Sequence, residues 1–218
     1  MSTLSGITQS VVLTDQEVIA IAARRGRTWN AALPTVRPDA AGLGDGALWG
    51  LRSLARRGLL EPGSTSATVR ADLAELVEPA FGVPRLVAYL ASASAPLVLA
   101  GAEVLVYEAP GTGGVLVELV RGLGSHEISL RTREDAISML AELARKEVAR
   151  PLGLAGVPDD LTLYVATSLL PGAAVVAFAP GTTSHGSFDG AGVVLERFEP
   201  GTVDLRLIAE MLRAAAPR

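Results

Sequence analysis

Cysteine is absent from the 218-residue chain, histidine occurs only at two positions, and Lys146 is the single lysine. Without cysteine there is no disulfide, no thiol nucleophile and no iron–sulfur cluster. Two histidines leave almost nothing for a zinc site, and any Schiff-base or phosphate-gripping lysine would have to be Lys146. That residue stands in Glu142-Leu143-Ala144-Arg145-Lys146-Glu147, a helical pattern in which a solvated position accounts for it. Aromatic residues make up 4 % of the chain, too few for a platform on which bases or sugars stack, so the core is the expected place of Trp29 and Trp49. Nor is there a surplus of positive charge. With a formal net charge of −4, the molecule as a whole repels phosphate backbones.

Unbroken apolar runs are also missing. Residues 86–102 and 161–184 carry no charge, but Pro96 interrupts the first and Pro171, Gly172, Pro180 and Gly181 punctuate the second. Neither supplies the roughly 20 consecutive apolar residues of a membrane span. The first basic residue is Arg24, so residues 1–10 read as a polar tail rather than a signal peptide, and the cytoplasm is the expected compartment.

What is present is a 49 % apolar chain able to bury a sizeable core as one domain over residues 1–218. The first part, 1–83, reads as helical. Thr14 and Asp15 cap a helix carrying Val18, Ile19, Ile21 and Ala22 and ending near Gly26. A proline-rich connector over 33–38 leads to a second helix that starts after Asp45, carries Leu48, Leu51, Leu54 and Ala55, and stops at Gly58. A third covers 69–81, with Leu73, Leu76, Val77 and Phe81 on one face.

From Pro84 the apolar period changes from about 3.6 to about 2. Strands are expected over 85–91, 102–108, 114–120 and 127–131, with a hairpin turn at Gly111 to Gly114, and the short connections make the sheet antiparallel. Thr132 then caps a helix with Ala136, Ile137, Leu140, Leu143 and Ala144 inward. Beyond Pro151 follow apolar stretches at 161–166 and 173–179, a Gly/Ser/Thr loop over 180–190, a strand over 193–198 and a helix over 203–213. The fold class is therefore α+β: a central antiparallel sheet, flanking helical parts, and two strand–helix units, 84–150 and 151–218, that resemble each other.

Catalytic constellations are not visible. No Gly-x-Ser-x-Gly elbow occurs, and Ser184, His185 and Asp189 lie within six residues of one loop, whereas triads converge from separate elements. His126 is expected in a turn before a strand. Asp159 and Asp160 read as capping residues, and the Gly111 to Gly114 turn lacks the ending of a phosphate-binding loop. No metal or other cofactor site and no catalytic residue is expected, and the chain is read as not an enzyme. Arg52, Arg56 and Arg57 before Gly58-Leu59-Leu60 give the alternative, a winged-helix DNA-binding transcriptional regulator, with Arg52 and Arg56 on one helical face.

Several features together resemble one family. They are Leu13-Thr14 with a short helix, the proline-rich connector, Leu54-Ala55-Arg56-Arg57-Gly58-Leu59-Leu60, then Asp72-Leu73 and Leu76, then strands and a closing strand and helix. In this order the chain resembles the EspG family, the ESX (type VII) secretion-associated proteins of actinobacteria, as a short and distant member. The resemblance implies a non-catalytic cytosolic chaperone or adaptor that binds secreted helical heterodimers of PE–PPE or WXG type and keeps them soluble for export. A homodimer is compatible with it; nucleic acid and membrane insertion are not expected. The docking surface is expected on the strands carrying Val104, Val106, Tyr107, Val115, Val117 and Leu119, with the loops after Glu108 and around Ser184.

Overall fold

A computed structural model describes residues 9–37, 39–63, 67–92, 102–148, 161–168, 171–179, 181–189, 193–200 and 205–214. The elements are β1 (Ser10–Thr14), α1 (Asp15–Arg25), α2 (Ala40–Arg56), α3 (Ala71–Val77), a 3₁₀ turn (Glu78–Phe81), β2 (Leu86–Ser92), β3 (Ala102–Ala109), β4 (Gly114–Arg121), β5 (Ser125–Arg131), α4 (Arg133–Val148), β6 (Leu161–Ala166), β7 (Ala174–Ala179), β8 (Thr182–Phe188), β9 (Val193–Pro200) and α5 (Leu205–Ala214). The strands form one antiparallel sheet in the order β1-β5-β4-β3-β2-β6-β7-β8-β9, so the fold is α+β. Four strands, β2 to β5, precede α4, and four more, β6 to β9, precede α5. Asp159 and Asp160 lie outside the described residues.

Contacts group the chain into two compact units, the first comprising Met1–Val83 and Tyr107–Arg131. Its helix α1 starts where expected. Thr14 Oγ1 accepts from the Glu17 backbone and the Glu17 carboxylate accepts from Thr14 N at 3.0 Å, a reciprocal capping box, while Gly26 closes the helix in the left-handed conformation. Residues 10–14, for which no strand was expected, form β1 and pair with β5 in the register Leu13↔His126. The segment after α1 is tied to the 3₁₀ turn: Arg25 and Arg27 both bond Glu78, Asn30 donates to Ala80 O at 2.9 Å, and Trp29 meets Phe81 edge-on at 5.1 Å. Pro79, which has no N–H to give, stands inside that turn and closes the α-helical part at Val77.

Helix α2 departs from expectation in start and face. It begins at Ala40, six residues earlier than expected, because Asp39 rather than Asp45 caps it, accepting from Gly42 N at 2.6 Å. The buried ridge is Gly42, Gly46, Gly50 and Leu54. Gly46 and Gly50 let the backbone of α2 lie against α1, while Gly42 abuts Arg37: a Cβ on Gly50 would overlap the Gln16 carbonyl and press on the Ala20 methyl. Packing through that ridge turns the bulkier side chains outward. Trp49 is 58 % exposed and Leu48 50 %, which corrects the reading of Trp49 as a core anchor; Trp29 is buried as expected.

In the second unit, Pro84–Val106 with Thr132–Arg218, β2 pairs with β3 and with β6, and β6 to β9 form a meander. Leu86, Ala88 and Leu90 share one buried face, joined across the β2–β6 ladder by Leu163 and Val165. On the other face Tyr89 stacks on its direct partner Tyr164, ring centroids 5.2 Å apart, and burial together with Tyr164 pushes the Tyr89 hydroxyl up to about 12. Ala136, Leu140 and Ala144 of α4 are buried as expected, and α4 packs on α5, which buries Ile208, Met211 and Leu212. Residues 182–188, expected in a loop, are strand β8: threonines open it and it ladders with β7 from Thr182 to Ser187. The outer strand β9 bulges at Glu196, which is skipped between Arg197 and Leu195 in the pairing, and ends on Pro200. Charge, bulge and proline together blunt this sheet edge against further strand pairing.

The glycine ridge yields a paired test. Gly50→Ala should lower the free energy of urea unfolding by about 1–3 kcal/mol through overpacking of α1 against α2. Gly44→Ala, in the same helix with open space around it, should raise it by roughly 0.5–1 kcal/mol. Equal effects of the two would contradict the ridge.

Candidate functional site

A buried group of ionisable side chains lies inside the first unit and centres on His126 of β5. Its Nε2 donates to Asp15 Oδ1 at 2.8 Å and its Nδ1 to Glu118 Oε1 at 2.7 Å. Asp15 is the first residue of α1 and Glu118 the middle of β4, so the chain of three joins the β1–α1 junction to two strands. Each carboxylate has further donors. Trp29 Nε1 donates to Glu118 Oε1 at 2.7 Å and the Tyr107 hydroxyl to Glu118 Oε2 at 3.2 Å. Thr35 donates both its backbone N–H and its hydroxyl to Asp15 Oδ2, each at 2.6 Å.

Gly124 completes the enclosure. Its carbonyl accepts from Asp15 N at 3.0 Å. Its φ of +72° and the closeness of Thr35 and Asp15 Oδ2 leave no room for a side chain.

The electrostatics follow from this geometry. Burial alone would push His126 down, but the hydrogen bonds and charges of Asp15 and Glu118 raise it to about 9, so the ring is an imidazolium at neutral pH. Burial alone would raise Asp15, and the hydrogen bonds from His126 and Thr35 outweigh it, holding the carboxyl below its ordinary value. The Asp15, Glu118 and His126 side chains have no exposed surface. General acid–base chemistry needs a group within hydrogen-bond reach of a substrate; here both ring nitrogens are engaged and water is excluded. The cluster is a closed ionic staple. Among the described residues no group of three or more His, Asp or Glu stands as a metal-ligand set.

A second ionic link runs beside it. Glu17, buried, accepts from the Ser53 hydroxyl at 2.7 Å and from Arg57 Nη1 at 2.6 Å, and Arg57 Nη2 reaches the Val12 carbonyl at 2.9 Å. Arg57, read from sequence as part of a basic helix end, thus clamps the end of α2 to α1 and β1. Arg52 and Arg56 are exposed on α2. The Arg52 guanidinium lies 5.0 Å from the centroid of the Trp49 ring, and among the described residues neither arginine has a carboxylate partner.

The other expected positions fall out differently. Val104, Val106, Tyr107, Val115 and Val117 are buried, and only Leu119 retains partial exposure; these strand residues are core, with Tyr107 also serving the staple. Ser184 is buried in β8 and His185 follows it on the opposite face, so Ser184, His185 and Asp189 do not converge. His185 Nε2 stands 3.8 Å from Glu199 Oε2 and has no hydrogen-bond partner among the described residues. His126, expected in a turn, is the second residue of β5.

The staple itself was missed, although it left a trace: Glu118 is the lone charge in Val115-Leu116-Val117-Glu118-Leu119-Val120, and a charge there needs a buried partner.

The pH dependence of stability is set by this cluster. His126 has its folded value raised from 6.5 to about 9, so its contribution is complete below pH 6.5 and is lost as pH rises toward 9, a loss of roughly 3 kcal/mol. Asp15, lowered when folded, contributes above its ordinary value of 3.8 and is lost as pH falls below it. Urea midpoints should therefore plateau between about pH 4 and 6.5 and decline toward pH 9. His126→Leu, which strands two buried carboxylates, should cost about 3–5 kcal/mol at pH 6 and abolish the alkaline decline; a variant that keeps it would contradict the assignment.

No family model matches the chain, and no curated protein matches it significantly in sequence. Among the described residues, no helix is long and apolar enough to cross a membrane.

Proposed function

We propose that the protein is a non-catalytic, cytoplasmic adaptor of EspG type that binds secreted helical protein pairs of PE–PPE or WXG type and keeps them soluble for export. The observation that carries this reading is the outward face of α2, where Trp49 and Leu48 are exposed beside Arg52 and Arg56. Exposed tryptophan and arginine are the side chains that anchor protein interfaces. The cluster of titratable groups around His126 is sealed and holds the fold. The element order, a helical N-terminal part followed by two rounds of strands and helix, agrees with the resemblance drawn from Leu54 to Leu60 and Asp72-Leu73.

A second reading has one observation in its favour: Arg52 and Arg56 are both exposed on one side of α2, as a DNA-binding regulator would need. Leu48 and Trp49 give that face exposed apolar area, Asp45 shares it, and the net charge is −4, all of which favour a protein partner.

Co-expression tests the choice. The tagged chain should co-purify with a PE–PPE or WXG-type pair and raise its soluble yield over expression of the pair alone. An unchanged yield with no co-purification would overturn the proposal, and capture of duplex DNA with a steep salt dependence would replace it with the regulator.

A further inference from the structure

We propose that the outward face of α2 is a docking site for an acidic amphipathic helix of a partner protein, with Leu48 and Trp49 as apolar anchors and Arg52 and Arg56 as the cations that select it. The inference deepens the adaptor reading and rests on it for the identity of the partner, while the face and its chemistry stand on the structure. Helix α2 spends its glycine side on α1. The opposite side carries Ala41, Leu48 and Ala55, all exposed and seven residues apart, so they lie on one line along the helix. A large side chain between two alanines is the relief that a second helix fits, its ridge entering over the alanines and its groove receiving Leu48.

Trp49 and Leu48 are large apolar side chains left half or more in water, in a chain with only two tryptophans. Their exposure is not an accident of a poorly formed helix, since α2 is capped by Asp39 and clamped at its end by Arg57.

Charge decides the occupant. Among the described residues Arg52 and Arg56 have no carboxylate to answer them, whereas Arg25, Arg27, Arg57 and Arg70 are all paired. Asp45 offsets one of the two charges and leaves the face net positive. Arg52, stacked on Trp49, keeps its N–H edge free to meet a carboxylate in its plane. A partner helix with leucines on one stripe and glutamates beside it satisfies both the apolar line and the two guanidinium groups. A basic helix leaves like charges facing each other, and a phosphate backbone leaves Leu48 and Trp49 without an apolar partner.

The test uses the full chain and two synthetic helical peptides of about 18 residues, identical in their leucine stripe and flanked by Glu in one and by Lys in the other. Trp29 is buried, so the exposed-tryptophan part of the fluorescence reports Trp49. The Glu peptide should shift that emission to shorter wavelength saturably, and Arg52→Glu with Arg56→Glu should weaken binding by at least about tenfold. Trp49→Phe should remove the optical signal while calorimetry still detects binding. Equal binding of the Lys peptide, no saturable shift with the Glu peptide, a blue shift that grows with protein concentration alone, or tighter binding of a short DNA duplex would each overturn the inference.

Co-expression of the PE–PPE or WXG-type pair with the doubly substituted chain separates the two proposals. If the wild type captures the pair and the variant does so equally, the adaptor stands and this docking face falls. If the Glu peptide binds as expected and the wild type captures no pair, the face stands and the choice of client falls.

Discussion

The imidazolium of His126 held between the carboxylates of Asp15 and Glu118 is the interaction on which the first unit depends. Three ionisable groups removed from water are costly, and the cost is offset only because their polar atoms have partners: both ring nitrogens face carboxylates, and the carboxylates accept further hydrogen bonds from Trp29, Tyr107 and Thr35. Buried ionic chains of this kind are often matched or exceeded in net stability by well-packed apolar replacements. Its contribution is to specificity. Asp15 follows directly on β1, whose pairing places Leu13 opposite His126, and a slip of one residue would turn alternate side chains to the other face and break the ion pair. The staple therefore sets the register of β1 and the origin of α1, and α1 is the surface on which α2 is laid.

From that point the outward chemistry of α2 follows from packing. The glycine ridge brings the two helices together closely, so the large side chains of α2 have no place inside and stand in water. Arg57 is consumed at the helix end by Glu17 and Val12 O. What remains on the outward side is an exposed tryptophan and leucine with two arginines. The same division separates the two kinds of charged group in this unit. Asp15, Glu17, Glu118 and His126 are buried and closed, whereas Arg52 and Arg56 stand in water.

Much of the frame was legible in sequence because its signals are local. Thr14 with Glu17 three residues on, Gly26, the alternation from Leu86 onward and the hairpin at Gly111 to Gly114 each act over a few residues, and the elements they mark stand where they were expected. The failures have a common cause. The face of α2 depends on α1, and glycines carry no hydrophobic signal, so apolar periodicity pointed to Leu48 and Leu51 while packing selected Gly42, Gly46 and Gly50. Strand β8 has a loop-like composition and is a strand because β7 and β9 flank it. The strand residues Val104, Val106, Val115 and Val117 were read as a display surface, yet uninterrupted apolar strands are what a buried sheet requires. The staple joins residues 111 apart in sequence, a distance over which no local pattern speaks; only the isolated Glu118 hinted at it.

The most direct measurement is the protonation state of His126 in the intact protein by nitrogen-detected NMR of the imidazole. The staple requires two ring N–H protons, both slow to exchange, present at pH 7 and titrating only near pH 9. A neutral ring at pH 7, or a titration at the ordinary value of 6.5, would contradict it, and with it the account of how α1 and β1 are held in place.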